Sequence, residues 1–176
     1  MFSSKDIFLG KGGATGYQIS RSVRLRSSAT GYFTKTFSSA GNRKTWTWSG
    51  WVKRGKLDVI NYLFGSPATY STAFRFNAAN TFFFTGASSV QFLFETTAVY
   101  RDPSAWYHLV IAFDTTQATA SNRVKIYFNG VQVTSFVTAN YPSLNLDGEI
   151  NNAAYHGIGT SSSSDSFDGY LDRKST

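Results

Sequence analysis

The sequence feature that most constrains the fold is a series of short apolar runs with a period of two residues, separated by turn signals. In residues 45–48 two threonines alternate with two tryptophans, and in residues 123–128 Val124, Ile126 and Phe128 alternate with polar or amphipathic positions. Side chains of a strand alternate between the two faces of a sheet, so this period predicts half-buried strands. No stretch carries a persuasive 3.6-residue period. The sequence therefore predicts an all-β protein, either a sandwich or a barrel.

The composition favours the same fold class. The chain of 176 residues contains 16 phenylalanines, 10 tyrosines and 4 tryptophans, and aromatic side chains are enriched in strands. Its length is that of one ordinary domain, which is enough to bury a core without covalent staples. Since the chain contains no cysteine, disulfides and thiolate metal sites are excluded.

Turn signals divide the predicted strands into hairpins. Residues 77–80 separate aromatic-rich strands at 73–76 and 81–84. Asn129 followed by Gly130 predicts a tight hairpin, because both residues tolerate positive φ.

The stretch after that hairpin is interpreted as one strand followed by a long loop. Val131, Val133 and Phe136 predict the return strand, and residues 138–152 predict the loop. Earlier in the chain, Gly50 interrupts the alternation and predicts a β-bulge or a close approach of backbone.

Residues 1–16 are predicted to form a flexible N-terminal arm, followed by a single domain over residues 17–176. Four glycines lie between positions 10 and 16, and such a segment is extended unless a neighbour holds it. The apolar residues Ile7, Phe8 and Leu9 are the candidate docking residues for a partner subunit. The alternative is that they fold back onto their own domain.

The sequence shows no segment that would direct it into a membrane. It has no run of 18 apolar residues, whereas a spanning helix needs about 20, and residues 1–6 lack the features of a signal peptide. We expect synthesis and folding in the cytoplasm. The net charge of +7 suits an acidic partner or simple solubility, and without a dense Lys/Arg block nucleic acid is not an expected partner.

The sequence offers little for catalysis. Retaining glycoside hydrolysis uses two carboxyl groups about 5 Å apart, but Glu95 and Glu149 are the two glutamates of the chain. Asp147 stands two positions before Glu149, in a stretch rich in glycine and asparagine, and the pair is interpreted as turn residues. His108, at the start of a strand, is interpreted as a structural hydrogen-bonding residue. We expect a protein that binds rather than catalyses.

Several segments together resemble a known family. They are residues 103–108, the apolar run 109–113, residues 124–133, and the closing sequence Phe167, Asp168, Gly169, Tyr170 and Leu171. This set is similar to the laminin-G-like domain of the concanavalin-A-like lectin/glucanase superfamily, over roughly residues 17–171. The resemblance implies a jelly-roll sandwich of two antiparallel sheets. It also implies the family's usual roles, which are carbohydrate or cell-surface binding and virion architecture.

Residues 17–26 and 41–55 look like the version of this domain carried by bacteriophage structural proteins. The resemblance implies a virion protein, a tail fibre or another surface-exposed component, that assembles with other virion proteins and as a homo-oligomer and attaches to a bacterial surface glycan. A capsid decoration or cement protein, or a carbohydrate-binding adhesin without a structural role, is the alternative. Relatives usually continue after the closing sequence, so the last strand is expected to be short or to leave an open edge.

The resemblance also suggests ligands. Calcium is the candidate cofactor, with Asp114 and Asp168 as its candidate carboxylates, although an aspartate at position 168 more often fixes a turn. Sugar binding needs exposed aromatic platforms, and the tyrosines near predicted loops are the candidates. They are Tyr62, Tyr70, Tyr141 and Tyr155. Three of the four tryptophans are expected in the core.

Overall fold

The computed structural model describes residues 22–29, 31–66, 72–86, 91–161 and 166–172. Within these ranges the chain forms two antiparallel sheets with two short 3₁₀ turns, Ser27–Ala29 and Ala120–Asn122. The predicted arm, with Ile7, Phe8 and Leu9, lies outside the described residues. In the described part of the chain no helix is long and apolar enough to cross a membrane.

Thirteen strands from the described residues make up the two sheets. In chain order they are β1 (Val23–Leu25), β2 (Phe33–Thr36), β3 (Thr45–Arg54), β4 (Asn61–Ser66), β5 (Thr72–Phe76), β6 (Thr81–Gly86), β7 (Phe92–Val99), β8 (Tyr107–Asp114), β9 (Val124–Phe128), β10 (Val131–Gln132), β11 (Phe136–Asn140), β12 (Tyr155–Ile158) and β13 (Gly169–Asp172). The six-stranded sheet has the order β1-β13-β3-β8-β9-β10, and the seven-stranded sheet has the order β11-β7-β6-β5-β4-β12-β2. The predicted all-β jelly-roll sandwich is confirmed.

The core between the sheets is built from aromatic side chains at alternate strand positions. Phe74, Phe76, Phe82 and Phe84 come from the β5–β6 hairpin and are fully buried. Aromatic rings from the opposite sheet pack against them, such as Trp48, whose ring centroid lies 4.8 Å from that of Phe74. Each such ring stabilises the fold by roughly 1.5–3 kcal/mol through burial, so the two sheets are held together mainly by this aromatic layer.

The two predicted hairpins are confirmed. Strands β5 and β6 pair antiparallel around residues 77–80. At the β9–β10 turn, Asn129 has φ 51° and Gly130 has φ 80°, as a two-residue turn of this type requires.

The predicted return strand is wrong in its second half. Val131 belongs to β10 and pairs with Phe128, whereas Phe136 begins β11 in the opposite sheet and pairs with Thr96 of β7. Residues 138–140 therefore continue a strand and are not part of a loop. The chain crosses between sheets at residues 133–135, a step that apolar alternation alone does not signal.

Gly50 does not mark a bulge. Residues 45–52 of β3 pair with β8 in continuous register, with Gly50 opposite Leu109. A Cβ atom at position 50 would lie 2.7 Å from the Trp48 ring. The glycine therefore serves a close approach, but the approaching group is the Trp48 side chain and not backbone.

The prediction that three of the four tryptophans are buried is also wrong. Trp46, Trp48, Trp51 and Trp106 are all partly exposed. Trp46 and Trp48 do face the core, but their large rings extend to its margin.

The last strand is short, but it is not an edge. Strand β13 lies between β1 and β3, pairing with both. The edges of the described six-stranded sheet are β1 and β10, and those of the seven-stranded sheet are β11 and β2.

Candidate functional site

A row of polar and aromatic side chains crosses the outer face of the seven-stranded sheet. Tyr62 of β4 pairs with Arg75 of β5, Arg75 pairs with Phe83 of β6, and Phe83 pairs with Glu95 of β7. Residues that are directly opposite in antiparallel strands project to the same face. All four side chains are partly exposed, and we call this row the outer-face row.

Arg75 is held between two aromatic rings. Its guanidinium carbon lies 5.1 Å from the ring centroid of Tyr62 and 4.6 Å from that of Phe83. One terminal nitrogen donates a hydrogen bond of 2.8 Å to the Tyr62 hydroxyl. Among the described residues, Arg75 forms no ion pair, and its Nε–H is buried without a hydrogen-bond partner. The rings therefore fix the orientation of a cation whose charge no carboxylate in the described ranges neutralises.

Glu95 stands on the other side of Phe83 and is held by the β5–β6 hairpin. Its Oε1 accepts hydrogen bonds from Asn77 Nδ2 at 2.9 Å and from the Thr81 hydroxyl at 2.8 Å. Neighbouring strands lie about 4.8 Å apart, so the Arg75 and Glu95 positions are about 10 Å apart across the sheet. The row thus presents a cation and an anion separated by an aromatic ring.

This arrangement suits recognition of a ligand. An aromatic ring offers an apolar surface on which the C–H face of a sugar can stack, and a guanidinium donates paired hydrogen bonds to a carboxylate. A guanidinium carries only N–H donors and no acceptor atom, so Arg75 serves as a hydrogen-bond donor and not as a base.

The other predicted tyrosines do not gather around Tyr62. Tyr141 packs its ring against Phe94 at a centroid distance of 5.0 Å and so faces the core margin. Tyr155 begins β12, next to β4, where its carbonyl accepts a hydrogen bond of 3.1 Å from Ser66 and burial raises the pKa of its hydroxyl. Ser66 lies four residues along β4 from Tyr62, a distance of about 13 Å at 3.3 Å per residue. Tyr70 lies outside the described residues. The structure therefore places Tyr62 in a cluster of charged and aromatic groups, while the sugar-binding role of each tyrosine stays a prediction.

Asp114 and Asp168 lie at opposite ends of β3. Asp114 pairs with Thr45 and Asp168 precedes Gly169, which pairs with Arg54, a separation of roughly 30 Å at about 3.3 Å per residue. The two carboxylates are too far apart to bind one cation.

Both carboxylates already have protein partners. Asp114 accepts hydrogen bonds from the Thr116 hydroxyl at 2.6 Å and Gln117 Nε2 at 2.7 Å, which lower its pKa. Asp168 accepts from Arg24 at 2.7 Å and from Ser27 at 3.2 Å. In the described ranges no three His, Asp or Glu side chains come together as metal ligands. These two aspartates act as turn-fixing residues, and calcium binding stays a prediction without a ligand set.

The predicted turn residues Asp147 and Glu149 lie in a loop anchored by Arg43. Arg43 donates to the Gly148 carbonyl at 2.7 Å and to Glu149 Oε1 at 3.4 Å. Glu149 also accepts a bond from Asn152 at 2.9 Å. Its carboxylate is therefore used to close the loop.

A second aromatic surface occupies the outer face of the six-stranded sheet. The ring of Trp51 stacks on His108 at a centroid distance of 4.9 Å, and His108 Nε2 is 3.0 Å from the Ser49 hydroxyl, in agreement with the structural role predicted for this histidine. Trp106 approaches Tyr170 at 6.4 Å. Within the described residues, this surface lacks an oriented, unpaired cation of the kind that Arg75 supplies.

Sequence reasoning did not select Arg75 or Phe83. A signal existed, because each stands between two inward-facing phenylalanines and so must face outward in a strand. The confirmed hairpin at residues 77–80 places their strands side by side. The partnership with Tyr62 was not accessible, because it depends on a register shift between Tyr62 and Phe64.

Comparison with known proteins agrees with this architecture. The concanavalin A-like lectin/glucanases superfamily matches residues 26–174. Mouse laminin alpha1 chain domains LG4-5 superpose with a TM-score of 0.54 at 13% identity, covering 80% of this chain and 37% of that one. Domain 4 of AbnA, an extracellular GH43 arabinanase from Geobacillus stearothermophilus solved with arabinotriose, gives a TM-score of 0.48 at 19% identity, covering 76% and 59%.

The chain thus spans less than two thirds of either solved structure. No curated relative matches the sequence. The family match covers most of the chain, and the two stacked antiparallel sheets are those that such a match requires. The chain therefore belongs to the concanavalin A-like lectin/glucanases superfamily.

Proposed function

We propose that this protein is a structural component of a bacteriophage virion, a tail fibre or another surface-exposed part, whose jelly roll serves assembly and attaches the particle to a bacterial surface glycan. Membership in a lectin superfamily supports the attachment role. The resemblance of residues 17–26 and 41–55 to phage structural proteins supports the virion setting. In this role the protein binds and does not catalyse.

The observation that carries the attachment role is Arg75, held between the rings of Tyr62 and Phe83 without a carboxylate partner among the described residues. A guanidinium oriented in this way is suited to the carboxylate of an acidic sugar, and the partly exposed Phe83 ring beneath it offers apolar contact to the same sugar. The net charge of +7 adds a long-range attraction for a polyanionic surface. We therefore propose an acidic glycan as the ligand class.

The test measures binding of a trigalacturonate oligosaccharide and of neutral galactotriose by titration calorimetry. We expect the wild-type protein to prefer the acidic probe, and Arg75→Gln to weaken that binding by about 10–100-fold. This range corresponds to the roughly 1.5–3 kcal/mol of a charge-assisted hydrogen bond, at 1.4 kcal/mol per factor of ten. Affinity for the neutral probe should change little.

Arg101→Gln is the matched control, because Arg101 is exposed and lies outside the outer-face row. It removes the same charge and should leave binding unchanged. Equal losses in both variants would mean a non-specific effect of net charge and would contradict the site. A loss in Trp51→Ala but not in Arg75→Gln would instead place binding on the six-stranded sheet.

A further inference from the structure

A cavity of about 340 Å³ opens between the two sheets at one side of the sandwich. Its inner wall includes the rings of Trp48 and Phe64 and the side chain of Leu171, and its rim includes Phe33 and Ile158. The wall is largely apolar, and it joins strands of both sheets. A cavity of this kind is the space that one additional apolar strand would fill.

The cavity lies beside an open length of β3. Strand β13 pairs with residues 51–54 of β3, whereas residues 45–50 pair with β8 on one side and have no strand on the other side in the described part of the chain. Alternate residues of such an edge direct backbone N–H and C=O groups outward. Thr47, Ser49 and Gly50 of this open edge line the cavity. The backbone edge that can pair with a further strand therefore lies directly beside the apolar cavity.

The rim of the cavity leaves large apolar side chains uncovered. Phe33 is 53% exposed, Val23 is 44% exposed and Ile158 is 43% exposed, and all three line the cavity. Open strand edges flanked by exposed apolar groups promote association unless something covers them. An apolar segment in an extended conformation would cover these side chains and pair with the open edge of β3.

We propose that the segment containing Ile7, Phe8 and Leu9 of the same chain docks here as an added strand along residues 45–50 of β3. In a strand, Ile7 and Leu9 share one face, and they would fill the cavity beside Trp48. Phe8 would then face the opposite side. The N-terminal segment thereby completes the sandwich from which it extends.

The length of the connection supports an occupant from the same chain. Leu9 is separated from Val23, on the cavity rim, by residues 10–22, thirteen residues that include Gly10, Gly12, Gly13 and Gly16. A glycine-rich connection of this length has a root-mean-square span of about 20 Å, which is enough to return along β3. A short flexible connection gives an effective concentration of roughly millimolar, so the chain's own segment outcompetes that of another copy.

Residues after β13 suit the cavity less well. Leu171 faces the cavity, and the register that pairs Leu171 with Val52 would, if continued, direct Arg173 and Ser175 to the same side. Placing a charge and a hydroxyl against an apolar wall without partners is unfavourable. The aliphatic side chains of Ile7 and Leu9 carry no such cost.

Disulfide trapping tests the proposal, and the absence of native cysteines makes it specific. We would introduce Leu9→Cys with Ile158→Cys, and as the matched control Leu9→Cys with Val137→Cys. Val137 is a 63% exposed residue of β11, five strand spacings and about 24 Å from β12. After oxidation with glutathione disulfide, products are identified by non-reducing electrophoresis and peptide mass spectrometry.

We expect an intramolecular disulfide in monomers of the Ile158 pair, formed at least tenfold faster than in the Val137 pair. Equal rates in the two pairs would overturn the proposal. Cross-linked dimers in place of monomers would also overturn it, because the occupant would then be the segment of a second copy.

A second measurement uses no cysteine and covers the case in which the Ile158 variant does not fold. The double variant Ile7→Asp with Leu9→Asp should open the cavity and increase the emission of the apolar dye anilinonaphthalene sulfonate at least threefold. Phe8→Asp, which alters the opposite face of the docked strand, should increase it much less. Unchanged emission in the double variant would contradict docking.

Discussion

At the scale of single residues, two of the strand arginines, Arg54 and Arg75, have opposite environments. Arg54 is 1% exposed and donates to Asn80 Oδ1 at 2.9 Å and to the Tyr100 carbonyl at 2.6 Å. Burial lowers the pKa of Arg54 to about 10, while Tyr107 and Asp58 act in the opposite direction. Arg54 is thus committed to holding the core together, whereas Arg75 remains available at the surface.

Asp168 illustrates how one carboxylate can hold separate elements in place. Burial by itself raises the pKa of the Asp168 carboxyl, but hydrogen bonds from Arg24 and Ser27 and the charge of Arg24 outweigh that effect and lower it. The Arg24–Asp168 ion pair spans 2.7 Å, with side chains 31% and 15% exposed. Its contribution to stability is therefore only partly screened by solvent.

We predict that Asp168→Asn lowers the free energy of unfolding at pH 7 by about 1–3 kcal/mol, because it leaves the buried part of Arg24 without its counter-charge. A carboxyl whose pKa is lowered by folding stabilises the native state above its unfolded pKa, near 4, and loses this contribution as pH falls through the folded value. The difference between wild type and variant should therefore shrink below about pH 4. Urea unfolding measured at pH 7 and at pH 3 checks this expectation.

Asp147→Asn is the control for that measurement, since Asp147 is exposed, and it should change stability little at either pH. If the difference in unfolding free energy between wild type and Asp168→Asn is the same at pH 7 and pH 3, the charge of the carboxylate is not involved.

At the scale of elements, the entry into β13 joins the two sheets. The backbone N–H of Asp168 donates to Asn61 Oδ1 of β4 at 3.2 Å, in the seven-stranded sheet, while its side chain binds Arg24 of β1, in the six-stranded sheet. Phe167 is fully buried between them. The closing sequence that first suggested the family is therefore a structural junction.

Gly169 is required at this junction for steric reasons. A Cβ atom there would collide with the Lys53 carbonyl oxygen and with the Phe167 ring, and its φ is +155°. By contrast, Gly130 has φ +80°, and a Cβ atom added there would meet no atom within 4 Å. A side chain at position 130 therefore costs only the free energy of the left-handed backbone conformation, whereas a side chain at position 169 also costs the free energy of a steric clash.

We predict that Gly130→Ala destabilises the protein by about 1–2 kcal/mol, the cost of a left-handed conformation. Gly169→Ala should cost more, about 3 kcal/mol or above, because backbone must also move. Thermal unfolding of both variants under identical conditions checks the order. Equal costs would mean that the junction adjusts without strain, contrary to the prediction.

At the scale of the whole molecule, the two proposals above use different surfaces of the sandwich. The outer face of the seven-stranded sheet carries the proposed glycan site around Arg75, and one lateral side carries the cavity beside β3. Of the described edge strands, β10 and β11 contribute no residue to the cavity lining and remain for contacts between proteins. The proposed attachment and assembly roles therefore make no conflicting demands on one surface.

We predict the copy number of this chain in purified virions, measured by quantitative mass spectrometry with the major capsid protein as the reference. It should be a small multiple of the rotational symmetry of the tail. This copy number is expected because a fibre protein is present in as many copies as the tail symmetry allows. A copy number comparable to that of the capsid protein would indicate a decoration or cement protein instead. Absence from the particles would contradict the virion role and leave an adhesin.

Local patterns predicted the strands well and their partners less well. The alternation of residues 45–48 and the turn at Asn129 and Gly130 depend on neighbours in sequence, so they could be recognised without a structure. The position of Phe136 could not, because its sheet is chosen by packing against Phe94, at a ring distance of 5.7 Å, and not by the residues beside it.

The sequence by itself determined the all-β class, most strand positions and the two hairpins, because side-chain alternation and positive-φ turns are properties of a few adjacent residues. Only the tertiary structure decided that β13 lies inside a sheet, that Asp114 and Asp168 are far apart, and that Tyr62 and Phe83 enclose Arg75. These features arise from pairing between strands distant in sequence, where a register shift of one residue changes the face that a side chain occupies.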